Sequence, residues 1–208
     1  TRTIYRFGNE KANVVLTFLT PALPSDLDVL SRPVTYLTWD VQSADGRPHA
    51  VRIDFNYGAQ MAVEETDQAV VWDRPQMEGL VVSRVGTKDQ HVLGRKGDML
   101  RIDWGYAYLA APSDARTRLT GDGALSINLG QVGAEKATCH AMLAYDDLYS
   151  IRYFDSTLRP YWRRNGWDAS DLLKAAERDY DVLAKRCATF DEDVMADLTK
   201  AGGAKYAA

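Results

Sequence analysis

Reactive side chains are scarce in this sequence. Its 208 residues include two cysteines, Cys139 and Cys187, and three histidines, His49, His91 and His140. Neither CxxC nor HExxH occurs, so no zinc site is expected. The two cysteines fall in different predicted elements and read as free, buried thiols, with a disulfide between domains as the alternative. GxSxG and the P-loop are also missing. Gly94-Arg95-Lys96-Gly97-Asp98 has the wrong glycine spacing to cradle phosphate, so serine-hydrolase and nucleotide-hydrolysis chemistry fall away and neither cofactor nor metal is expected. No apolar run approaches the ~20 residues of a membrane span. Thr1–Phe7 has neither the apolar region nor the cleavage site of a signal peptide. Basic runs are absent too: 25 Lys+Arg stand against 29 Asp+Glu, a formal charge of -4, which argues against a nucleic-acid partner.

What is present is alternation. Up to Phe154 apolar residues recur with period two, which sends one set of side chains to a core and the other to solvent. Val14, Leu16 and Phe18 form one such set. Leu37, Trp39 and Val41 alternate with Tyr36, Thr38 and Asp40. After the turn-forming Ala44-Asp45-Gly46-Arg47 come Val51, Ile53, Phe55 and Tyr57, which reads as a hairpin. Further strands are predicted over 69–72, 80–85, 100–110, 125–129, 137–145 and 148–154. Strands separated by Gly, Pro and Asp turns, with no helix-length pattern between them, point to a mainly β fold, an antiparallel β-sandwich.

The period then changes. Leu172, Ala176, Tyr180, Leu183, Cys187 and Phe190 lie on one face of a helix, with Asp168 as N-cap and Asp171 at the third helical position. A second, shorter helix is predicted over 192–201, capped by Asp191 and ended by Gly202. Gly203–Ala208 begins a third with one turn, as if the chain were cut from a longer polypeptide. Residues 1–154 are accordingly expected to form a β-sandwich domain, and 155–208 a linker with the opening helices of a helical domain. The stretch Tyr153–Trp167 carries Tyr161, Trp162, Arg163, Arg164 and Trp167 around Pro160 and Gly166, a linker with an aromatic load.

Candidate chemistry is sparse. Asp146 and Asp147 are adjacent carboxylates at a strand end. Neighbours on a strand point to opposite faces, so a turn role suits them better than a cooperating acid and base. Asp103, expected inside a strand against its propensity, pairs on a solvated face with Arg101 or marks a functional position. With Trp104, these three aspartates are the residues expected near a substrate cleft between domains. His140 reads as a hydrogen-bonded structural histidine. The catalytic residues themselves are not identifiable.

Several blocks resemble one family. Leu16–Leu37, Arg84-Val85-Gly86-Thr87-Lys88-Asp89-Gln90 with Leu93-Gly94, and Arg101–Tyr106 are similar to the N-terminal domain of the glutaminase A family of fungi and bacteria. Ala144–Asp147, Tyr161-Trp162, Phe190-Asp191 and Ala201–Tyr206 resemble the start of its helical domain. The resemblance implies an enzyme that hydrolyses L-glutamine to glutamate and ammonia and acts outside the cell or in the periplasm. It also implies a β-sandwich packed on an (α/α)6 toroid, of which this chain would hold only the first helices, inactive alone. The remainder of the parent chain would be its partner and glutamine the small-molecule substrate. A glycoside hydrolase of the same plan, or a purely structural or binding module, are the alternatives.

Overall fold

Antiparallel pairing organises residues 1–98 and 100–207, which this computed structural model describes. Ala208, the last residue of the predicted third helix, lies outside them. The strands are β1 (Arg2–Gly8), β2 (Ala12–Leu19), β3 (Val34–Ser43), β4 (His49–Asn56), β5 (Val70–Asp73) and β6 (Leu80–Thr87). They continue as β7 (Tyr106–Pro112), β8 (Thr117–Gly121), β9 (Ala124–Val132), β10 (Ala137–Asp146), β11 (Ile151–Tyr153) and β12 (Ser156–Leu158). Among the helices, α1 (Leu27–Leu30) and α3 (Ala204–Ala207) are single turns and α2 (Ala169–Gly202) is long. A seven-stranded sheet runs β1-β2-β3-β10-β7-β6-β5, a three-stranded sheet runs β4-β9-β8, and β11-β12 form a hairpin of their own. The fold is mainly β and antiparallel, with one long helix at its C-terminal end.

Each face of the large sheet has its own core. On one side Leu37, Trp39, Val85, Leu109 and Ala141 pack with Leu125 and Ile127 of the small sheet. On the other, Tyr36, Val82, Tyr108, Met142 and Ala144 pack with Leu172, Leu173, Ala176 and Leu183 of α2. Successive side chains of a strand alternate between faces. β10 therefore gives Cys139 and Ala141 to the first core, and Met142 and Ala144 to the second.

This layering explains where the sequence pattern misleads. The strands around Gly46 do not form a hairpin: β3 pairs with β2 and β10, and β4 pairs with β9. The turn carries the chain from one sheet to the other, so β3 and β4 meet face to face, with the Trp39 and Phe55 rings 5.8 Å apart. Tyr36, expected on a solvated face, is 1% exposed because α2 covers it. The predicted strand over 100–110 begins only at Tyr106, and Leu100 and Ile102 are exposed. The predicted strand over 148–154 shrinks to Ile151–Tyr153, paired with a short strand inside the expected linker. Both cysteines are free and buried, one in each core, which removes the disulfide alternative.

Helix α2 starts as expected. The Asp168 carboxylate accepts from the Ser170 and Asp171 amides at 2.8 and 3.1 Å, and the Asp171 carboxylate accepts from the Asp168 amide at 3.0 Å, a complete capping box. The two predicted helices are one continuous helix of 34 residues. Asp191, instead of capping a new start, accepts from the Thr1 ammonium and Arg2, both at 2.7 Å. Further polar contacts fix the helix to the sheet and to the loop before β3. The Tyr36 hydroxyl donates to the Ala176 carbonyl at 2.8 Å, Thr38 and Tyr180 share a 2.6 Å bond, Arg32 donates to Asp179 at 2.8 Å, and His140 meets Glu177 at 2.9 Å. His140 also stacks on Tyr180 at 4.0 Å, the hydrogen-bonded role expected of it.

Leu173 is fully buried between α2 and the sheet, so Leu173→Ala is expected to cost about 2–5 kcal/mol, read as a lowered midpoint in urea unfolding. Asp168→Ala removes the cap at an expected cost of ~1 kcal/mol, measurable as a drop in melting temperature of about 2–4 °C for a chain of this size.

Candidate functional site

The end of β10 is where the chain collects polar groups. Asp146 closes the strand in register with Tyr106, the first residue of β7. The bend before β7 comes very close: Gly105 has φ +79, and a Cβ there would sit 2.1 Å from the Asp146 carbonyl oxygen. Only glycine fits both the backbone angle and the space. The Gln90 side chain holds this bend, accepting from the Gly105 amide at 2.6 Å and donating to its carbonyl at 3.2 Å. Trp104 is buried and donates from its indole to the Tyr149 carbonyl at 3.1 Å, while the Tyr145 hydroxyl donates to the Trp104 carbonyl at 2.6 Å.

Asp146 is buried and held at both oxygens by Arg163: Nε donates to Oδ1 at 2.9 Å and Nη2 to Oδ2. Oδ1 also accepts from the Leu148 amide at 3.1 Å. A forked guanidinium on a carboxylate is a strong and directional pair when both groups leave water together. Asp147 points elsewhere and is half-buried. Its Oδ2 accepts from the Ser150 hydroxyl at 2.5 Å. Burial, reinforced by the neighbouring Asp146 charge, pushes the Asp147 carboxyl above the ordinary carboxylate range despite that bond. Leu148 takes φ +59 to complete the turn.

A cleft of about 320 Å³ opens beside this turn, lined among others by Met77, Arg84, Tyr106, Tyr108, Asp146 and Arg163, with Ser170 from the first turn of α2. Arg84 lies over the Tyr106 ring at 4.3 Å and donates to both oxygens of Asp73, with Nε at 2.9 Å from Oδ1. Burial raises the Tyr108 hydroxyl to about 12, against the lowering influence of Arg84. A larger cavity of about 410 Å³ near β6 and β8 has no carboxylate or histidine in its lining.

Of the residues singled out from sequence, Trp104, Asp146 and Asp147 gather around Gly105 and Tyr145, and Asp146 alone lines the cleft. Asp103 lies behind them. It is not on a strand and does not pair with Arg101. Its side chain is wholly buried, with Oδ2 accepting from Gln68 at 3.0 Å and 3.7 Å from Arg95, while Oδ1 has no partner among the described residues. Arg163 and Arg84, the two cations of the cleft, were not assigned roles from sequence. For Arg163 a signal existed in the density of arginine and tryptophan between Arg159 and Trp167, but not its partner 17 residues earlier. Among the described residues no group of three or more His, Cys, Asp or Glu is placed to hold a metal ion, and no helix is long and apolar enough to cross a membrane.

No curated protein matches the chain. Among solved structures, a protein assigned as a kojibiose phosphorylase from the human microbiome is similar over 88% of this chain and 21% of its own, at 10% identity and a TM-score of 0.45. The chain thus spans about a fifth of that protein's length, and at that score and identity the likeness transfers neither fold nor activity. The family expected from the blocks at Leu16–Leu37, Arg84–Gln90 and Arg101–Tyr106 is corrected by the family comparison, in which the matching model is not that of glutaminase A. Residues 1–123 and 120–197 match a domain of unknown function (DUF5127), nearly the whole length, and the chain belongs to that family.

Proposed function

We propose that this chain is a non-catalytic β-sandwich module that supports, and forms one wall of a cleft with, a further domain of a longer polypeptide. The observation that supports this best is the state of Asp146. It is the one aspartate of the expected set that reaches the cleft, and both its oxygens are committed to Arg163. A carboxylate so neutralised organises structure and is a weakened nucleophile and base. The β11–β12 hairpin adds a second support. Ile151, Tyr153, Phe154 and Leu158 stand exposed on it, with Phe154 80% accessible, and such contiguous apolar surface marks sites of contact with another protein surface.

A second reading, the wall of a glycosidase-like active site, is favoured by Asp147. A half-buried carboxyl with a raised pKa, one residue from the cleft, has the character of a general acid that donates to a leaving oxygen. The two readings separate in the longer polypeptide, assayed for glycoside turnover. The module reading expects Asp147→Asn to leave kcat/KM within a few-fold. A loss of ~100-fold or more, with disappearance of the limb of the pH profile that reports the acid, would establish the second.

The isolated chain tests the structural role of the pair. Arg163→Met strands a buried carboxylate and is expected to cost about 3–5 kcal/mol. The double variant Asp146→Leu with Arg163→Met should recover most of that loss in thermal unfolding, because no uncompensated charge remains.

Asp147 sets a pH dependence. Its pKa is raised on folding, so its contribution to stability is full below the unfolded carboxylate value near ~3.9 and is lost as pH rises through the folded value. Asp147→Asn should therefore gain stability relative to the unsubstituted protein as pH rises from acid toward neutral, measured by urea unfolding across that range.

A further inference from the structure

A third cavity, of about 150 Å³, sits where the loop before β3, the turn after Pro160 and helix α2 converge. It shares no lining residue with the cleft at Asp146. Its lining holds three cations, Arg32, Arg164 and Arg178, and one carboxylate, Asp28, with Asn165 and the indoles of Trp162 and Trp167. The carboxylates set against these three guanidinium groups are Asp28, which accepts from Arg164, and Asp179, which Arg32 and Arg178 share at 2.8 and 2.9 Å. The protein is acidic overall, yet here three cations meet two anions.

The arrangement is preorganised. Arg32 has a side chain only 12% exposed and lies 5.5 Å from the Trp167 ring centroid, so its guanidinium plane is held from one side. Among the described residues it donates through Nη1 alone, leaving the rest of its fork unused. Trp162 is 3% exposed, and its ring walls the cavity. Rigid guanidinium forks with spare donors, set beside indole N–H and amide groups, are matched by the several lone pairs of a compact oxyanion.

We propose that this cavity is a binding site for a small oxyanion, the carboxylate or phosphate group of a small polar molecule, held by Arg32, Arg164 and Arg178 with Trp162 and Trp167 as its walls. The shared chemistry is the oxyanion, and its two sources separate by titration. The chain is titrated with sodium phosphate and, separately, with sodium glucuronate at constant ionic strength, with neutral glucose as the control, following the indole N–H resonances of Trp162 and Trp167 by NMR. A saturable shift of these resonances with either salt and not with glucose is expected, and whichever salt saturates identifies the source. Arg178 is largely exposed, with its side chain 69% accessible, so Arg178→Gln should fold normally and bind about tenfold more weakly, or ~1.4 kcal/mol. Arg118→Gln, outside the cavity, should bind as the unsubstituted chain does. Shifts that fail to saturate with both salts, or an affinity unchanged in Arg178→Gln, would overturn the site.

Discussion

The central strands of the seven-stranded sheet are buried on both faces, and most other features answer to that constraint. A strand covered on one side can alternate apolar and polar residues, but the central strands here are allowed no solvated face. β7 shows the result in its run Ala107, Tyr108, Leu109, Ala110 and Ala111, all 3% exposed or less. Alanines let two layers approach the same strand closely, while Tyr36, Tyr108 and Met142 fill the space under α2. Polar groups caught in this geometry must find partners inside the protein. The Tyr36 hydroxyl does so on a helix carbonyl, and its burial pushes its pKa well above the ordinary tyrosine value.

The Asp146–Arg163 pair follows from the same covering. β10 is a central strand, and its last residue is 2% exposed, with Arg163 set against it. A lone carboxylate there would be strongly destabilising, whereas a forked arginine satisfies both oxygens. The pair also fixes the position of Trp162, which belongs to the core, and of the first turn of α2, which begins six residues after Arg163. One charge pair thus joins the strand that centres the sheet to the helix that covers it. Its net contribution over an apolar substitute is small; its consequence is geometric registration.

How much of this was legible depends on whether a signal was local. The capping box at Asp168 and Asp171, and the apolar stripe from Leu172 to Phe190, are encoded within a few residues and read directly. So was the mainly β, antiparallel character. Partner choice was not: the turn at Gly46 has the composition of a hairpin, yet β3 finds β10 about a hundred residues later. β1 and β8 escaped notice because edge strands carry weaker patterns, and every residue of β1 is exposed. At the candidate site, Asp146 and Trp104 could be singled out by residue type, but Arg163 as the partner of Asp146 is a property of the folded path alone.

Asp103 and Asp146 show how one residue type meets opposite fates within a few ångströms of the same bend. Both are wholly or almost wholly buried. Asp146 is met by a guanidinium with the right fork, while Asp103 is met by the Gln68 amide at one oxygen and, among the described residues, by nothing at the other. The difference lies in the backbone. Asp146 ends a strand whose direction is fixed by pairing on both sides, so a single arginine rotamer suffices to reach it. Asp103 sits in irregular chain held by side-chain bonds from Thr87 and Gln90, which hold the main chain and leave the carboxylate to its surroundings. An aspartate that departs from strand propensity is therefore no guide by itself to chemistry. What decides is which donors the folded chain brings to face it, and at Asp146 it brings a forked guanidinium.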